Sequence, residues 1–142
     1  MYEEKFGMNV LVIDVGTSSM RGILFDHEGK CLSEQQEFYQ AIYMENSWVE
    51  QNPADWENAL YSIFKKTVAA AELMGEKIEA VSITSQRSSV IPMDRNLRPL
   101  GNAIMWQDNR TNHLCEMMEN LNDKVFSLCG SRINPVFSGS KM

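Results

Sequence analysis

The sequence predicts a mixed α/β fold in which a meander of three antiparallel strands leads to a long helix, another strand, and then polar loops and helices. Two observations carry this prediction. Short apolar segments rich in β-branched residues, bounded by turn residues, occur in the first forty positions and again at residues 78–84. Apolar residues recur at helical spacing through residues 53–74. A chain of 142 residues is long enough for one such domain.

The meander is predicted from the first 38 residues. Residues 8–14 and 20–25 are continuous apolar runs, typical of buried strands. Residues 26–29, Asp-His-Glu-Gly, form a turn signal, and residues 30–38 continue as a more polar strand at an edge. Strands joined by such short turns pair antiparallel.

The long helix has clear start and stop signals. Asn52 can cap it, Pro53 suits its first position, and Gly75 follows its last apolar residue, Met74. After the helix, residues 78–84 read Ile-Glu-Ala-Val-Ser-Ile-Thr, which predicts another buried strand.

Secondary structure is less clearly indicated in the second half of the chain. Residues 90–93 favour a short strand and residues 94–96 a turn. Apolar spacing indicates a helix through residues 114–121 and a second one around residues 125–128. Residues 134–142 have the composition of a loop.

The charge, the apolar runs, the N-terminal residues and the cysteines of the sequence argue against several classes of protein. The net charge of −6 disfavours nucleic-acid binding, which needs a basic face. No run approaches the length of about 18 apolar residues that indicates a membrane span. Residues 1–9 do not resemble a secretory signal. Cys31, Cys115 and Cys129 contain no CxxC pair, and a metal site formed with His27 and His113 is only a weak alternative, so we expect reduced thiols and a cytoplasmic protein.

The stretch VIDVGTSSMRG joins an apolar strand to a dense group of polar residues. The polar residues and the glycine that begins the turn are Asp14, Gly16, Thr17, Ser18, Ser19 and Arg21. The stretch matches neither a Walker A loop nor GxGxxG. Turn amides and hydroxyls can cradle a phosphate, and a carboxylate at a strand end can hold Mg²⁺ directly or through water. The alternative is an ordinary hairpin with a polar tip.

Two later segments repeat this pattern of an apolar strand followed by polar residues. They are residues 84–88, Thr-Ser-Gln-Arg-Ser, and residues 106–111, Trp-Gln-Asp-Asn-Arg-Thr. In α/β sheets, ligands collect at strand ends. Trp106 can offer a flat apolar face to a carbon chain, while Gln86, Arg87 and Asp108 can bind its hydroxyls. The alternatives are a solvated junction at 84–88, and a buried Trp106 followed by a helix cap at Asp108 or Asn109.

Five segments in order resemble the FGGY family of carbohydrate kinases, which includes glycerol kinases and xylulokinases. They are DVGTSSMR (14–21), WVEQNPADW (48–56), TSQRSS (84–89), AIMWQDNRT (103–111) and NPVFSGSK (134–141). The resemblance implies two domains of the actin-like ATPase, ribonuclease H-like kind, with ATP and Mg²⁺ in the cleft and a sugar or polyol deep inside it. It implies that residues 8–142 are the first part of the N-terminal domain, preceded by an extension at residues 1–7.

The resemblance also implies a role for each candidate site residue. Asp14 is the catalytic carboxylate linked to Mg²⁺, and Arg21 lies close to the transferred phosphoryl group. Gly16, Thr17, Ser18 and Ser19 form the turn on the phosphate side. The region that holds the acceptor contains Gln86, Arg87, Ser88, Trp106 and Asp108. The family's catalytic base, an Asp, is expected beyond Met142, so we expect the isolated chain to be inactive and, through exposed apolar surface, to form a dimer or higher oligomer.

Two departures from the family pattern concern the acceptor. Glycerol kinases have Glu where this chain has Ser88, and Tyr where it has Val136. Two groups that contact the polyol are therefore missing, and a ketose, pentulose or related acceptor is favoured over glycerol. The alternative function is a non-catalytic actin-like module that binds nucleotide for regulation or assembly.

Overall fold

The computed structural model describes residues 8–142, and these form two compact units. The first unit runs up to Tyr39 and resumes at Ala54–Gln86, and the second contains Gln40–Pro53 and Arg87–Met142. The expected extension at residues 1–7 lies outside the described residues.

The described elements include the predicted meander, long helix and following strand, together with two short strands at Ile42–Tyr43 and Val49–Gln51 that the sequence did not predict. The strands are β1 (Val10–Val15), β2 (Ser19–Phe25), β3 (Cys31–Phe38), β4 (Ile42–Tyr43), β5 (Val49–Gln51), β6 (Ala80–Ser85) and β7 (Ala103–Ile104). The helices are α1 (Pro53–Met74), α2 (Asn112–Met117) and α3 (Asn122–Cys129), with 3₁₀ turns at Glu119–Leu121 and Ser138–Ser140. The mixed α/β class and the bounds of the long helix are confirmed.

The first unit is a four-stranded sheet with α1 packed on one face. Its strand order is β3-β2-β1-β6, in which β1, β2 and β3 form the antiparallel meander and β6 runs parallel to β1. Side chains alternate along β1 and β2, so one face supplies the apolar core. The buried apolar side chains from the sheet and from α1 are Leu11, Ile13, Met20, Leu24, Tyr39, Ala59, Ile63 and Ala71.

The expectation that residues 78–84 form a buried strand is wrong in one respect. The strand exists, shifted slightly to Ala80–Ser85, but it lies at an edge of the described sheet and five of its six residues are exposed. Val81 is 48% and Ile83 67% exposed. β-Branched composition predicts extended backbone, whereas burial depends on which neighbours the strand acquires.

The second unit contains a small sheet of order β4-β5-β7 and the remaining helices. The short strand expected at residues 90–93 is reduced to isolated bridges, Val90 with Ile104 and Met93 with Pro99. The turn at residues 94–96 forms, with Asp94 Oδ1 accepting the amide hydrogens of Asn96 and Arg98 at 2.8 Å. None of the helices in residues 8–142 is long and apolar enough to cross a membrane.

Candidate functional site

Asp14 and Arg21 lie side by side on the face of the large sheet opposite α1. They are direct cross-strand partners in the β1–β2 register, and Asp14 is also paired with Thr84 of β6. Arg21 is in turn paired with Gln36 of β3. Residues paired across strands project from the same face. Ile13, the neighbour of Asp14, belongs to the core beneath α1, so the row from Gln36 to Thr84 lies on the other face.

The Asp14 carboxylate is suited to a hydrated metal ion. It is half-buried and forms no hydrogen bond or ion pair with any residue in 8–142. The described residues contain no cluster of three or more metal-ligating side chains. Mg²⁺ commonly takes only one or two protein carboxylates and completes its shell with water and phosphate oxygens. A single unengaged carboxylate near the end of β1 therefore fits Mg²⁺.

The tip of the β1–β2 hairpin is a tight turn with Thr17 and Ser18 at its centre. The amide of Gly16 donates to the carbonyl of Ser19 at 3.0 Å. A Cβ atom on Gly16 would lie 2.9 Å from that carbonyl oxygen, which explains the glycine. The hydroxyl of Ser19 accepts a hydrogen bond from Gln36 Nε2 at 2.9 Å, and so keeps its own hydrogen to donate.

Gln86, which is expected at the acceptor, bonds to this turn. Its side-chain Oε1 accepts a hydrogen bond from the Thr17 hydroxyl at 3.0 Å, and its backbone N–H donates to the Val15 carbonyl at 2.9 Å. Its Nε2 is buried and has no hydrogen-bond partner among the described residues. The strand end of β6 is thus tied to the hairpin tip of β1.

Tyr39 is a component of this region that sequence reasoning missed. Its hydroxyl donates to the Gly16 carbonyl at 2.7 Å, and its amide donates to the Ser18 carbonyl at 3.1 Å. Its ring meets that of Trp56 edge-on, with centroids 6.5 Å apart. Burial, together with the nearby Asp14 charge, raises the pKa of Tyr39 to about 12. The available signal was positional, because Tyr39 directly follows the predicted third strand, which returns to the level of the hairpin tip.

In the second unit, Asp108 is fully buried and forms the centre of a charged network. Its Oδ2 accepts the Val49 amide at 2.6 Å, and its Oδ1 accepts the Arg110 amide at 2.9 Å and Nε at 2.8 Å. Arg110 Nη2 bonds to Asp108 Oδ2 at 2.9 Å and to Glu50 at 2.7 Å, and the guanidinium carbon lies 4.3 Å from the centre of the Trp48 ring.

The network shifts the pKa values of its acids downward. Burial by itself would raise the pKa of Asp108, but the hydrogen bonds from Arg110 and Val49 outweigh it and hold the pKa below its usual range. The hydrogen bond from Arg110 likewise lowers the pKa of Glu50. Both carboxylates therefore stay charged well below neutral pH.

The geometry changes the interpretation of Asp108. Both of its oxygens accept hydrogen bonds from protein groups, which leaves it to support the loop before α2. It does not cap that helix either, because the residue before α2 is Thr111 and no side chain caps it. A cluster of polar residues in the sequence does not show whether a carboxylate is buried in the protein or faces a ligand.

Trp106 is 37% exposed, so it is not the buried Trp of the alternative interpretation. Its amide donates to Ser89 Oγ at 3.1 Å. Lys141 Nζ donates to the carbonyls of Met105 at 2.9 Å, Trp106 at 3.2 Å and Val136 at 3.2 Å. Burial lowers the pKa of Lys141. This lysine, which we did not single out from the sequence, holds the backbone on both sides of the indole.

Arg87 and Ser88 begin the second unit. Arg87 is exposed, and its side chain forms no ion pair within residues 8–142. Ser88 has φ of 68°, a left-handed conformation that is uncommon for a residue with a side chain. Such backbone strain is frequent at ligand sites.

The predicted site residues therefore fall into two local groups. The first unit holds Asp14, Gly16, Thr17, Ser18, Ser19, Arg21 and Gln86. The second unit holds Arg87, Ser88, Trp106 and Asp108. Within the first group, strand pairing and the hairpin turn bring the residues together. Within the second, Ser89 and Lys141 secure the backbone of Trp106.

Comparison with known proteins identifies a family and a fold. A family described as "FGGY family of carbohydrate kinases, N-terminal domain" matches residues 9–142. Glycerol kinases from Mycoplasmoides gallisepticum and Chromobacterium violaceum are 36% and 37% identical over 134 and 136 residues. These alignments cover 94% of this chain but only 26% and 27% of the relatives.

Solved structures agree with the fold. The crystal structure of Plasmodium falciparum glycerol kinase with ADP matches 94% of this chain and 27% of that chain, with a TM-score of 0.87 and 26% identity. A xylulose kinase from Lactobacillus acidophilus matches 94% and 27%, with a TM-score of 0.85 at 24% identity, which supports the fold alone. The expected actin-like fold class is confirmed, and the chain spans about a quarter of the length of the relatives it matches.

Proposed function

The chain belongs to the FGGY family of carbohydrate kinases, and on that premise we propose that the protein containing it transfers the γ-phosphoryl group of ATP to a hydroxyl of a sugar or polyol. The observation that carries the proposal is the hairpin tip of β1 and β2. There an unengaged carboxylate, a tight glycine turn, three hydroxyl residues and an arginine lie together at strand ends. We propose that residues 8–142 act as the first part of the kinase's N-terminal domain, and that the protein works in the cytoplasm.

On the nucleotide side, the proposal assigns each residue a physical task. Ser18 and Ser19 offer hydroxyls to phosphate oxygens, Gly16 allows the tight bend of the turn, and Thr17 is held in place by the bond from its hydroxyl to Gln86. Asp14 would hold Mg²⁺, which when bound neutralises charge on those oxygens. Arg21, beside Asp14 in the register, would place its guanidinium near the phosphoryl group being transferred. Phosphoryl transfer depends on positioning and charge neutralisation, and these residue types supply both.

On the acceptor side, Trp106 and Arg87 are the proposed contacts. Trp106 offers its partly exposed ring to the carbon chain, and Arg87 and Ser88 offer donors to hydroxyls. Asp108 keeps a place in the proposal as a positioning residue, because its oxygens are already bonded to Val49 and Arg110. Gln86 is proposed to hold the turn on the phosphate side through its bond with the Thr17 hydroxyl.

We propose a ketose or pentulose as the acceptor, on the basis of two positions in the sequence. Ser88 and Val136 stand where glycerol kinases have Glu and Tyr, which favours a ketose or pentulose. The sequence relatives named above are glycerol kinases, and they give that preference no support. Glycerol therefore belongs in the same test as the sugars.

The test is ADP release by the protein containing this chain, with Mg-ATP and a panel of glycerol, pentitols, ketoses and aldoses. Turnover with one acceptor supports the kinase proposal, and the preferred acceptor decides between glycerol and a sugar. Asp14→Asn should lower kcat by about 100-fold or more, whereas Asp123→Asn, an exposed acid on α3, should leave it unchanged. ATP binding without turnover of any acceptor would instead favour a regulatory actin-like module.

Residues 1–142 alone are proposed to be inactive and self-associating. The family resemblance puts the base that deprotonates the acceptor beyond Met142. Val81 and Ile83 expose apolar surface on β6, and such surface promotes association. Acceptor phosphorylation by the pure isolated chain, or a monomer by light scattering, would contradict the respective part of this proposal.

A further inference from the structure

Two carbonyl groups of the β1–β2 turn are bonded to a single residue outside it. The Tyr39 hydroxyl donates to the carbonyl of Gly16 at 2.7 Å, and the Tyr39 amide donates to the carbonyl of Ser18 at 3.1 Å. Tyr39 follows β3 in the chain, and the turn joins β1 to β2. These two contacts are therefore additional to the hairpin's own Gly16–Ser19 hydrogen bond.

Fixing a carbonyl also fixes the amide that follows it. Each peptide unit is planar, and residues 8–142 contain no cis peptide bond, so a carbonyl and the next N–H point in opposite directions. The bond to Gly16 thereby orients the N–H of Thr17, and the bond to Ser18 orients the N–H of Ser19. Carbonyl oxygens held by Tyr39 also cannot rotate toward a phosphate, whose charge they would repel.

Tyr39 is itself held rigidly. Only 7% of its surface is exposed, and its ring belongs to the core cluster that joins the sheet to α1. Trp56, in the first turn of α1, packs edge-on against it with an interplanar angle of 75°. The helix thus supports the aromatic ring, and the ring supports the turn.

We propose that Tyr39 is a positioning residue for nucleotide binding, which orients the peptide groups of the Gly16–Ser19 turn toward the phosphates of ATP. This inference rests on the proposed function of the turn. It assigns a role to a residue outside the DVGTSSMR segment. Tyr39 acts through the turn and does not itself contact the nucleotide.

The test is Tyr39→Phe in the protein containing this chain at its full length. Phenylalanine keeps the ring and the Trp56 contact and removes only the hydroxyl. The KM for Mg-ATP should rise roughly tenfold, while the KM for the acceptor stays within about twofold of the unmodified protein. The matched control is Tyr61→Phe, an exposed tyrosine on α1, which should change neither constant.

Equal changes in both Michaelis constants, or an unchanged KM for Mg-ATP, would overturn the proposal. A second variant, Trp56→Phe, keeps the hydroxyl but reduces the support of the ring. It should raise the KM for Mg-ATP by about threefold with circular dichroism unchanged, and it also covers the case in which Tyr39→Phe does not fold. No effect of Trp56→Phe on that constant would then count against the role of Tyr39.

Direct binding of Mg-ATP, measured by calorimetry, separates this inference from the kinase proposal. If no acceptor is phosphorylated but the unmodified protein binds Mg-ATP about tenfold more tightly than Tyr39→Phe, the kinase proposal fails and the role of Tyr39 stands. If both proteins bind Mg-ATP equally, or neither binds, the role of Tyr39 is wrong.

Discussion

Gly22 of β2 lies directly beneath Ile63 of α1, so close that a Cβ atom on the glycine would overlap Ile63 Cγ2. Ile63 is fully buried and central to the core between the helix and the sheet. The glycine that closes the VIDVGTSSMRG stretch is therefore required by helix–sheet packing, apart from any ligand. A neighbouring side chain that leaves no room for a Cβ atom is a physical reason for this glycine inside a strand.

Gly22→Ala should consequently lower the free energy of unfolding by about 1–3 kcal/mol, the usual cost of overpacking a core. Urea denaturation followed by circular dichroism measures the loss. Gly101→Ala is the control, because Gly101 has open space around it and an ordinary φ. Combining Gly22→Ala with Ile63→Ala, which removes the Cγ2 methyl group that meets the Gly22 position, should cost less than the sum of the two single changes. Strict additivity would show that the two residues do not collide.

Asp108→Asn should destabilise the second unit by about 2–4 kcal/mol. The substitution places an amide where four donors from Val49 and Arg110 now converge, and it leaves the guanidinium short of one partner. The control Asp123→Asn removes an exposed acid and should change stability by about 0.5 kcal/mol or less. Equal stability of both variants in thermal unfolding would mean that the network contributes no net stability.

The same network predicts loss of stability in acid. The pKa values of Glu50 and Asp108 are lowered from 4.5 and 3.8, mainly through the hydrogen bonds that Arg110 donates. Groups with a depressed folded-state pKa stabilise the protein above their unfolded pKa, and that stability is lost as pH falls through the folded value. The free energy of unfolding should decrease as the pH is lowered from about 4.5. Asp108→Asn should make this decrease with pH less steep. An identical slope in the variant would contradict the assignment.

The raised pKa of Tyr39 predicts a loss of folding stability at high pH. Its pKa is raised from 10.0 to about 12, first by burial and then by the charge of Asp14. A raised folded-state pKa gives stability that is present below the unfolded value and lost as pH rises through the folded one. Alkaline unfolding should therefore steepen between about pH 10 and 12, with a contribution of roughly 2–3 kcal/mol that Tyr39→Phe abolishes. Ultraviolet titration of the phenols in the two proteins would report the missing late ionisation.

Lys141→Met should weaken binding of the acceptor more than binding of ATP. The ammonium group bonds to the carbonyls of Met105, Trp106 and Val136, so its removal frees the backbone around the indole. We expect the KM for the preferred acceptor to rise roughly tenfold, with the KM for Mg-ATP within about twofold. Lys124→Met, on the exposed part of α3, is the matched control. A rise in the KM for Mg-ATP alone would show that Lys141 does not support the acceptor side.

Local signals were sufficient wherever a structure depends on neighbours in sequence. Pro53 and Gly75 mark the ends of α1 because helix capping and left-handed glycine are local effects, and Gly75 has φ of 71°. The alternation of Ile13 and Asp14 indicates opposite faces because strand geometry has a period of two. The resemblance of five ordered motifs supplied the family, which spacing alone did not.

Contacts between residues distant in the chain could not be predicted in this way. Tyr39 reaches Gly16, and Lys141 reaches Trp106, because folding brings together segments 23 and 35 residues apart. Asp108 has the composition of a ligand-binding residue, yet tertiary packing buries it completely against Val49 and Arg110. The exposure of Ile83 likewise depends on strand order and not on its β-branched side chain.

The sequence by itself determined the three-stranded meander, the long helix α1, the hairpin that presents Asp14 and Arg21, and the family. Backbone preferences, side-chain periodicity and ordered motifs all depend on short segments of the chain. Only the tertiary structure decided which polar side chains have no hydrogen bond to the protein and which form hydrogen bonds that stabilise the fold. A buried polar group must find a hydrogen-bond partner, and that partner is chosen by three-dimensional proximity. This separates Asp14, whose carboxylate bonds to no described residue, from Asp108, whose carboxylate is saturated by its neighbours.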